Sequence, residues 1–205
     1  MSRRGVSRQR VALLAAALAV VCVLQTSGQA RQAAPVRVQV DTDAGALIFD
    51  IDLAHAPITG ANFLKYADAG LYDGGRFHRT VTMDNQPNNK VKIEVIQGAA
   101  SAAREKDYFG AIPLERTSVT GLSHVDGALS MARNGPDTAR DEFFICIGVQ
   151  PSLDFGGARN PDGQGFAVFG RVVSGMDIAR TIQQSPAEGQ SLRPPVRILR
   201  IRRLP

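Results

Sequence analysis

Three polar side chains stand in stretches that otherwise read as apolar β-structure: Arg79 in "FHRTV", Gln97 in "EVIQG" and Glu142 in "EFFICIG". Held in such a context they are the chain's first candidates for chemistry. Read alone, an arginine on a strand is more often a solvated surface residue. Other chemistries lack their signals. The three histidines, His55, His78 and His124, form no pair with each other or with cysteine at metal-ligand spacing. No G-x-S-x-G elbow and no phosphate-cradling glycine loop occurs, and nothing signals a Ser/His/Asp triad. Neither a metal nor a cofactor is expected.

The elements that must position these residues follow from periodicity and punctuation. "VRVQVDTDAGALIFDIDL" predicts a hairpin: Val36, Val38 and Val40 alternate with polar residues, Ala44-Gly45 turns the chain, and Leu47, Phe49 and Ile51 alternate again. "PITGANFLKYADAG" predicts a helix with Pro57 at its start, Thr59 as candidate cap, Gly70 as stop, and an apolar face of Ala61, Phe63, Leu64 and Ala67. A strand from Phe77 to Val81 breaks into the polar stretch Asp84 to Lys90 and resumes from Val91 to Gln97. The middle, Ala99 to Val125, is rich in loops. "GALSMAR" and "EFFICIG" then read as strands joined across Asn134-Gly135-Pro136, and "FAVFGRVV" follows a long Gly/Asn/Pro loop. A second helix, "GMDIARTIQQ", and a last strand, "PVRILRIRRL", end the chain. Many short strands with only two helices predict a closed or nearly closed β-barrel. Arg197, Arg200, Arg202 and Arg203 read as a solvated strand face.

The first 30 residues have a different character. Arg3, Arg4, Arg8 and Arg10 precede an unbroken apolar run from Val11 to Leu24, and small residues surround a cleavage point after Ala30. This is the pattern of a secretory signal peptide, and the run is short for a membrane span. The expected organisation is a signal peptide at 1–30, a linker at 31–35 and one domain at 36–205. The exported protein would be periplasmic or secreted, with no stable membrane insertion after cleavage. Those four arginines account for most of the net charge of +5, so the remainder is nearly neutral and nucleic acid is not an expected partner. Cys22 leaves with the signal. Cys146 is then alone and reads as a small buried hydrophobe. A monomer is expected.

The segments "APITGANFLKYADAGLYDGGRFHRT", "VIQG", "GALSMARNGPDTARDEFFI" and "FAVFGRVVSGMDI" together resemble a cyclophilin-type peptidyl-prolyl cis-trans isomerase of the exported bacterial kind. The resemblance runs from Val36 to Leu204 in the right order. It implies a mainly β fold: a closed eight-stranded antiparallel barrel capped by two α-helices, with the site on its outer face. It implies Arg79 as the catalytic arginine and Gln97 as its glutamine. Val95 takes a position usually held by methionine. Ala132 and Arg133 match an alanine-asparagine pair that holds substrate backbone. Phe144 matches the floor of a proline pocket, Leu153 a pocket leucine, and Phe166 an aromatic that replaces a histidine. Glu142 stands where the family has a glutamine. A pocket-edge phenylalanine counts back to Glu94, with Ile93 as the alternative. Ser152 stands where a tryptophan is usual. The implied partners are Pro-containing polypeptides.

The implied roles agree with the physics of the reaction. Resonance opposes rotation about a peptide bond by roughly 18–20 kcal/mol, while cis and trans Xaa-Pro are nearly isoenergetic. In the twisted state the proline nitrogen becomes pyramidal and gains a lone pair. A guanidinium can donate to it there and not usefully to the planar ground state. No nucleophile is needed. The alternative is a module of the same fold that grips proline-containing segments with little or no turnover. Strict alternation puts Phe77 and Arg79 on one strand face, so a core role for one and a site role for the other requires a bulge. The arginine and glutamine are separated by a longer interval than is usual in the family, which marks Met83 to Lys90 as an inserted loop.

Overall fold

A computed structural model describes residues 34–205. The expected signal peptide, its cleavage point and the start of the linker lie outside the described residues. The first hairpin forms as its alternation requires: β1 (Val36–Thr42) pairs with β2 (Gly45–Ile51), and Val38, Val40, Leu47, Phe49 and Ile51 face inward, fully buried. The remaining strands are β3 (Arg76–Val81), β4 (Val95–Ala99), β5 (Ala128–Met131), β6 (Phe143–Cys146), β7 (Ala167–Ser174), β8 (Ala187–Glu188) and β9 (Ser191–Arg203). Around the sheet the order is β1-β2-β7-β5-β6-β4-β3-β9, and β9 returns to pair with β1. All these pairings are antiparallel. The eight strands thus close into a barrel, as expected, and the two-residue β8 adds only a short ladder on β9.

Two helices close the barrel ends. α1 (Pro57–Asp68) begins with proline at its first turn and stops at Gly70, whose φ of +63° suits glycine. Its start is not capped by Thr59. That residue is inside the helix, and its hydroxyl is buried without a partner. The Glu115 carboxylate instead accepts the backbone N–H groups of Ile58 and Thr59, at 3.0 and 2.7 Å. A distant carboxylate does what a local cap would have done. Ala61 is exposed, and the inward face is formed by Phe63, Leu64, Tyr66 and Ala67. α3 (Met176–Gln183) buries Ala179 and Ile182. Between them the loop-rich middle contains a single-turn helix, α2 (Thr117–Thr120), beyond the two helices expected. β4 begins at Val95; Val91 to Glu94 is irregular rather than strand, because Gln86 takes up both the N–H and the carbonyl of Ile93.

β6 explains why "FFIC" is apolar at every position. Phe143 and Ile145 point into the barrel; Phe144 and Cys146 point out, into a second apolar cluster with Val81, Val95, Leu153 and Val168. Inside, Phe143 meets Phe49, Phe63, Tyr72 and Phe77 edge-on, at centroid distances of 5.4–6.2 Å. Such contacts add to simple area burial. Cys146 is buried in the outer cluster, and burial pushes its thiol pKa up, which keeps it an unreactive packing residue. Of the basic C-terminal residues, Arg197, Arg202 and Arg203 pair at the surface with Asp43, Asp41 and Asp68.

Replacing Phe143 by alanine is expected to cost about 3–5 kcal/mol of stability, because four aromatic neighbours cannot collapse together into the space left. Denaturant unfolding checks this; a loss under about 1 kcal/mol would show that the barrel interior repacks freely.

Candidate functional site

The strand that carries Arg79 does what the alternation problem demands. Phe77 pairs with Gly98 and Arg79 with Gln97, so His78 is the extra residue of a bulge. Phe77 is fully buried in the barrel core, while Arg79 emerges beside the outer apolar cluster. The register against β9 shifts at the same place: Phe77 faces Val196 and Arg79 faces Ser191.

Arg79 is half-buried and held by amides rather than by a carboxylate. Its Nη1 donates to Gln97 Oε1 at 2.9 Å. Its Nε and Nη2 both donate to Gln190 Oε1, at 2.9 and 2.7 Å. Gln97 Nε2 in turn donates to the Glu142 carboxylate in a short contact. That contact orients the amide, because its oxygen must then face Arg79. Burial lowers the Arg79 pKa, and the nearby Arg159 lowers it further, while Glu142 opposes both. The group stays charged at any ordinary pH. Glu142 thus contacts Gln97 and not Arg79, on which it acts only as a nearby charge.

Gln190 was not among the residues singled out from the sequence. It lies in the turn between β8 and β9, far from Arg79 along the chain, and no motif marks it. Its own amide donates to the Asn85 backbone carbonyl at 3.2 Å. Asn85 belongs to the inserted loop. Its side chain accepts from Thr82 N–H at 2.9 Å and donates to the carbonyls of Thr80 and Gly189, at 3.0 and 3.1 Å. Gln86, almost fully buried, clips the loop shut by donating to the carbonyls of Thr82 and Ile93, both at 2.7 Å. The insertion is thus an ordered brace behind Gln190 rather than a detached surface loop.

One groove of about 340 Å³ gathers the nine residues singled out. Arg79, Gln97 and Glu142 form its polar side. Phe144, Leu153, Phe166 and Val95 form its apolar side, joined by Ile93; Phe144 and Phe166 meet edge-on at 5.3 Å. Ala132 and Arg133 complete it. Ile93, and not Glu94, fills the pocket edge: it is buried in the apolar cluster, whereas Glu94 is partly exposed and its carbonyl accepts from Ile147 N–H at 2.9 Å. The Arg133 side chain is held through three of its five donors. It grips Asp162 with both terminal nitrogens at 2.8 and 3.0 Å, donates to the Gly165 carbonyl at 2.8 Å, and lies over the Phe166 ring. The segment carrying Glu142 is pinned from behind, where the Tyr72 hydroxyl donates to the Asp141 carbonyl at 2.8 Å. Among the described residues no three of His, Cys, Asp and Glu gather as metal ligands would.

His124 supports the floor from below. It stacks on Phe144 at 6.0 Å, its Nδ1 lies 2.7 Å from Asp154 Oδ1 and its Nε2 2.9 Å from Ser130 Oγ. Burial lowers its pKa, and Asp154 only partly offsets this.

The comparisons with known proteins show the family and the fold. The sequence model of the family described as "Cyclophilin type peptidyl-prolyl cis-trans isomerase/CLD" matches residues 37–203. The chain is 32% identical over 147 residues to peptidyl-prolyl cis-trans isomerase cyp18 of Streptomyces antibioticus, covering 71% of this chain and 82% of that one. It is 30% identical over 177 residues to peptidyl-prolyl cis-trans isomerase A of Dickeya dadantii, covering 86% of each. A crystal structure of a cyclophilin type peptidyl-prolyl cis-trans isomerase of Cryptosporidium parvum superposes with a TM-score of 0.66 at 22% identity, over 83% of this chain and 98% of that one. A crystal of a protein of the same description in the presence of the dipeptide Ala-Pro gives a TM-score of 0.63. The chain belongs to the cyclophilin-type peptidyl-prolyl cis-trans isomerase family.

The His124 pKa predicts how stability follows pH. A neutral, buried imidazole in the native state faces an unfolded one that takes up a proton near the usual value of about 6.5. The stabilisation is therefore complete above that value and is lost as pH falls towards the lower native pKa; His78, also lowered mainly by burial, acts in the same direction. Urea midpoints are expected to fall between about pH 7.5 and 5.5, on either side of that value, and to fall less in His124→Gln. Equal slopes in the two proteins would contradict this.

Proposed function

We propose that the protein accelerates rotation about Xaa-Pro peptide bonds in exported proteins and so assists their folding, acting as a monomer without metal or cofactor. The observation that carries this reading is the Arg79 guanidinium, fixed at the edge of an apolar groove by two amide oxygens that leave its charge uncancelled by any contacting carboxylate. The proline ring would lie on Phe144 between Leu153, Phe166 and Val95, with water excluded. Arg79 would then donate to the proline nitrogen as it becomes pyramidal, an interaction stronger in the twisted state than in the planar one. Gln97 would steer the guanidinium and the substrate carbonyl, and Ala132 and Arg133 would hold the substrate backbone. Glu142, in contact with Gln97 rather than Arg79, favours turnover over a binding-only role.

Export rests on the first 30 residues: a basic start, a short apolar run and small residues before the proposed cleavage after Ala30. The periplasm or the outside medium would be the working compartment.

Ala33 to Pro205 form one compact unit, so residues 31–205 suit a direct assay. Exchange of a short Ala-Pro peptide, followed by NMR, is expected to quicken with this protein and to lose more than about tenfold of that rate in Arg79→Ala. Peptide binding without faster exchange would transfer the conclusion to the binding-module reading. When the full chain is produced in a bacterium, the mature protein is expected outside the cytoplasm with Arg31 at its N-terminus. A cytoplasmic product that retains Met1 would refute export.

A further inference from the structure

The groove is more cationic than the reaction requires. Four arginines line it: Arg79, Arg133, Arg140 and Arg159. Glu142 is the one acid among its lining residues, and its carboxylate is occupied by Gln97. Arg133 is neutralised by Asp162. Among the described residues, Arg79, Arg140 and Arg159 contact no carboxylate: Arg79 is held by glutamines, Arg140 lies over the Tyr108 ring at 5.6 Å, and Arg159 donates to a backbone carbonyl. Elsewhere Arg37, Arg180 and Arg197 pair with Asp50, Asp126 and Asp43. Three arginines without a contacting carboxylate share this one groove.

Arg159 is the best placed of the three to meet an anion. Its backbone N–H donates to the Ser152 carbonyl at 3.1 Å, and its Nη1 to the Val91 carbonyl at 2.7 Å. These two bonds carry the side chain from the 154–166 loop to the irregular segment before β4, at the end of the groove where Ile93 lies. They spend one of the guanidinium's five donors and leave the fork otherwise available. Partial burial lowers its pKa, so the charge is already partly stripped of water. An arginine fixed in this way is prepared for a carboxylate at little further cost in entropy. The positive charge of Arg159 is also felt at Arg79, whose pKa it helps to lower.

We propose that Arg159 forms an anion subsite at the Ile93 end of the groove, which selects Pro-containing segments with an acidic side chain flanking the proline. The inference rests on the groove being the peptide site. It adds a preference to that reading, and Phe144 and Arg79 remain responsible for the proline itself.

The test uses residues 31–205, which contain the compact unit, and three sets of short peptides, with Ala, Glu or Lys placed on either side of an Ala-Pro unit. Affinity by NMR titration is measured alongside the exchange rate, so that the subsite is examined whether or not turnover occurs. In one of the two flanking positions Glu is expected to bind on the order of fivefold more tightly than Ala, and Lys more weakly, as suits one partly exposed charge pair. The Glu preference should shrink as salt is raised. Arg159→Met, which keeps the stem, should abolish the preference, so that the Glu and Ala peptides bind equally. Arg159→Glu should reverse it in favour of Lys, which loss of loop order alone would not produce. Equal binding of Ala, Glu and Lys peptides to the unaltered protein would overturn the subsite. So would a Glu preference that survives both substitutions. If no peptide binds in the groove at all, the peptide-site reading fails first and the subsite falls with it.

Discussion

A half-buried guanidinium with no carboxylate in contact is the constraint around which the site is built. Removing a charge from water is costly unless hydrogen bonds replace the lost solvent. Here two amide oxygens, from Gln97 and Gln190, take three of the five donors of Arg79. Neutral acceptors satisfy the group without cancelling its charge. A directly paired carboxylate would have compensated the burial more strongly and reduced the field presented to the groove. Glu142 stands one residue back, where it fixes the direction of the Gln97 amide.

That arrangement requires three distant segments to meet. The His78 bulge turns Arg79 outward while Phe77 stays in the barrel core. The β8–β9 turn supplies Gln190, and the inserted loop supplies the Asn85 carbonyl that holds Gln190 in place. The barrel provides the rigidity that makes this possible, since every strand bearing a site residue is paired on both sides. β6 connects the two halves of the structure directly: Phe143 packs the interior and Phe144, the next residue, floors the groove. Core packing and site geometry are therefore set by adjacent residues of one strand.

The groove also combines surfaces that usually sit apart. Its apolar side is continuous with the outer cluster over Cys146 and Val168, while its rim carries arginines whose charge the protein itself only partly balances. In the proposed reading the apolar cup would favour the proline ring by burial, and the rim would add a longer-range bias on what approaches it. The 154–166 loop serves both. Leu153, at its root, and Phe166, at its end, line the cup, and Asp162 engages Arg133 across the groove mouth.

Much of this was legible in the chain. Alternating valines, paired apolar faces and glycine punctuation specify strands and the two longer helices, because side-chain periodicity directly reflects local geometry. The need for a bulge at Arg79 followed from the same alternation. Of the nine candidate site residues, Arg79, Gln97 and Glu142 stood out by their apolar context, while the other six came only through the resemblance, since they lie on separate strands and loops. What local rules missed shares one cause. Glu115 capping α1, Gln190 holding Arg79, Asn85 holding Gln190 and His124 supporting Phe144 all act across long intervals of sequence. A glutamine in a turn looks the same whether it faces water or a buried guanidinium. The sequence by itself determined which segments are strands, which faces are apolar and which residues have the chemistry. Only the closed barrel decided which polar groups share a site, because hydrogen-bond partners are chosen by proximity in space, and that exists only once β9 has returned to β1.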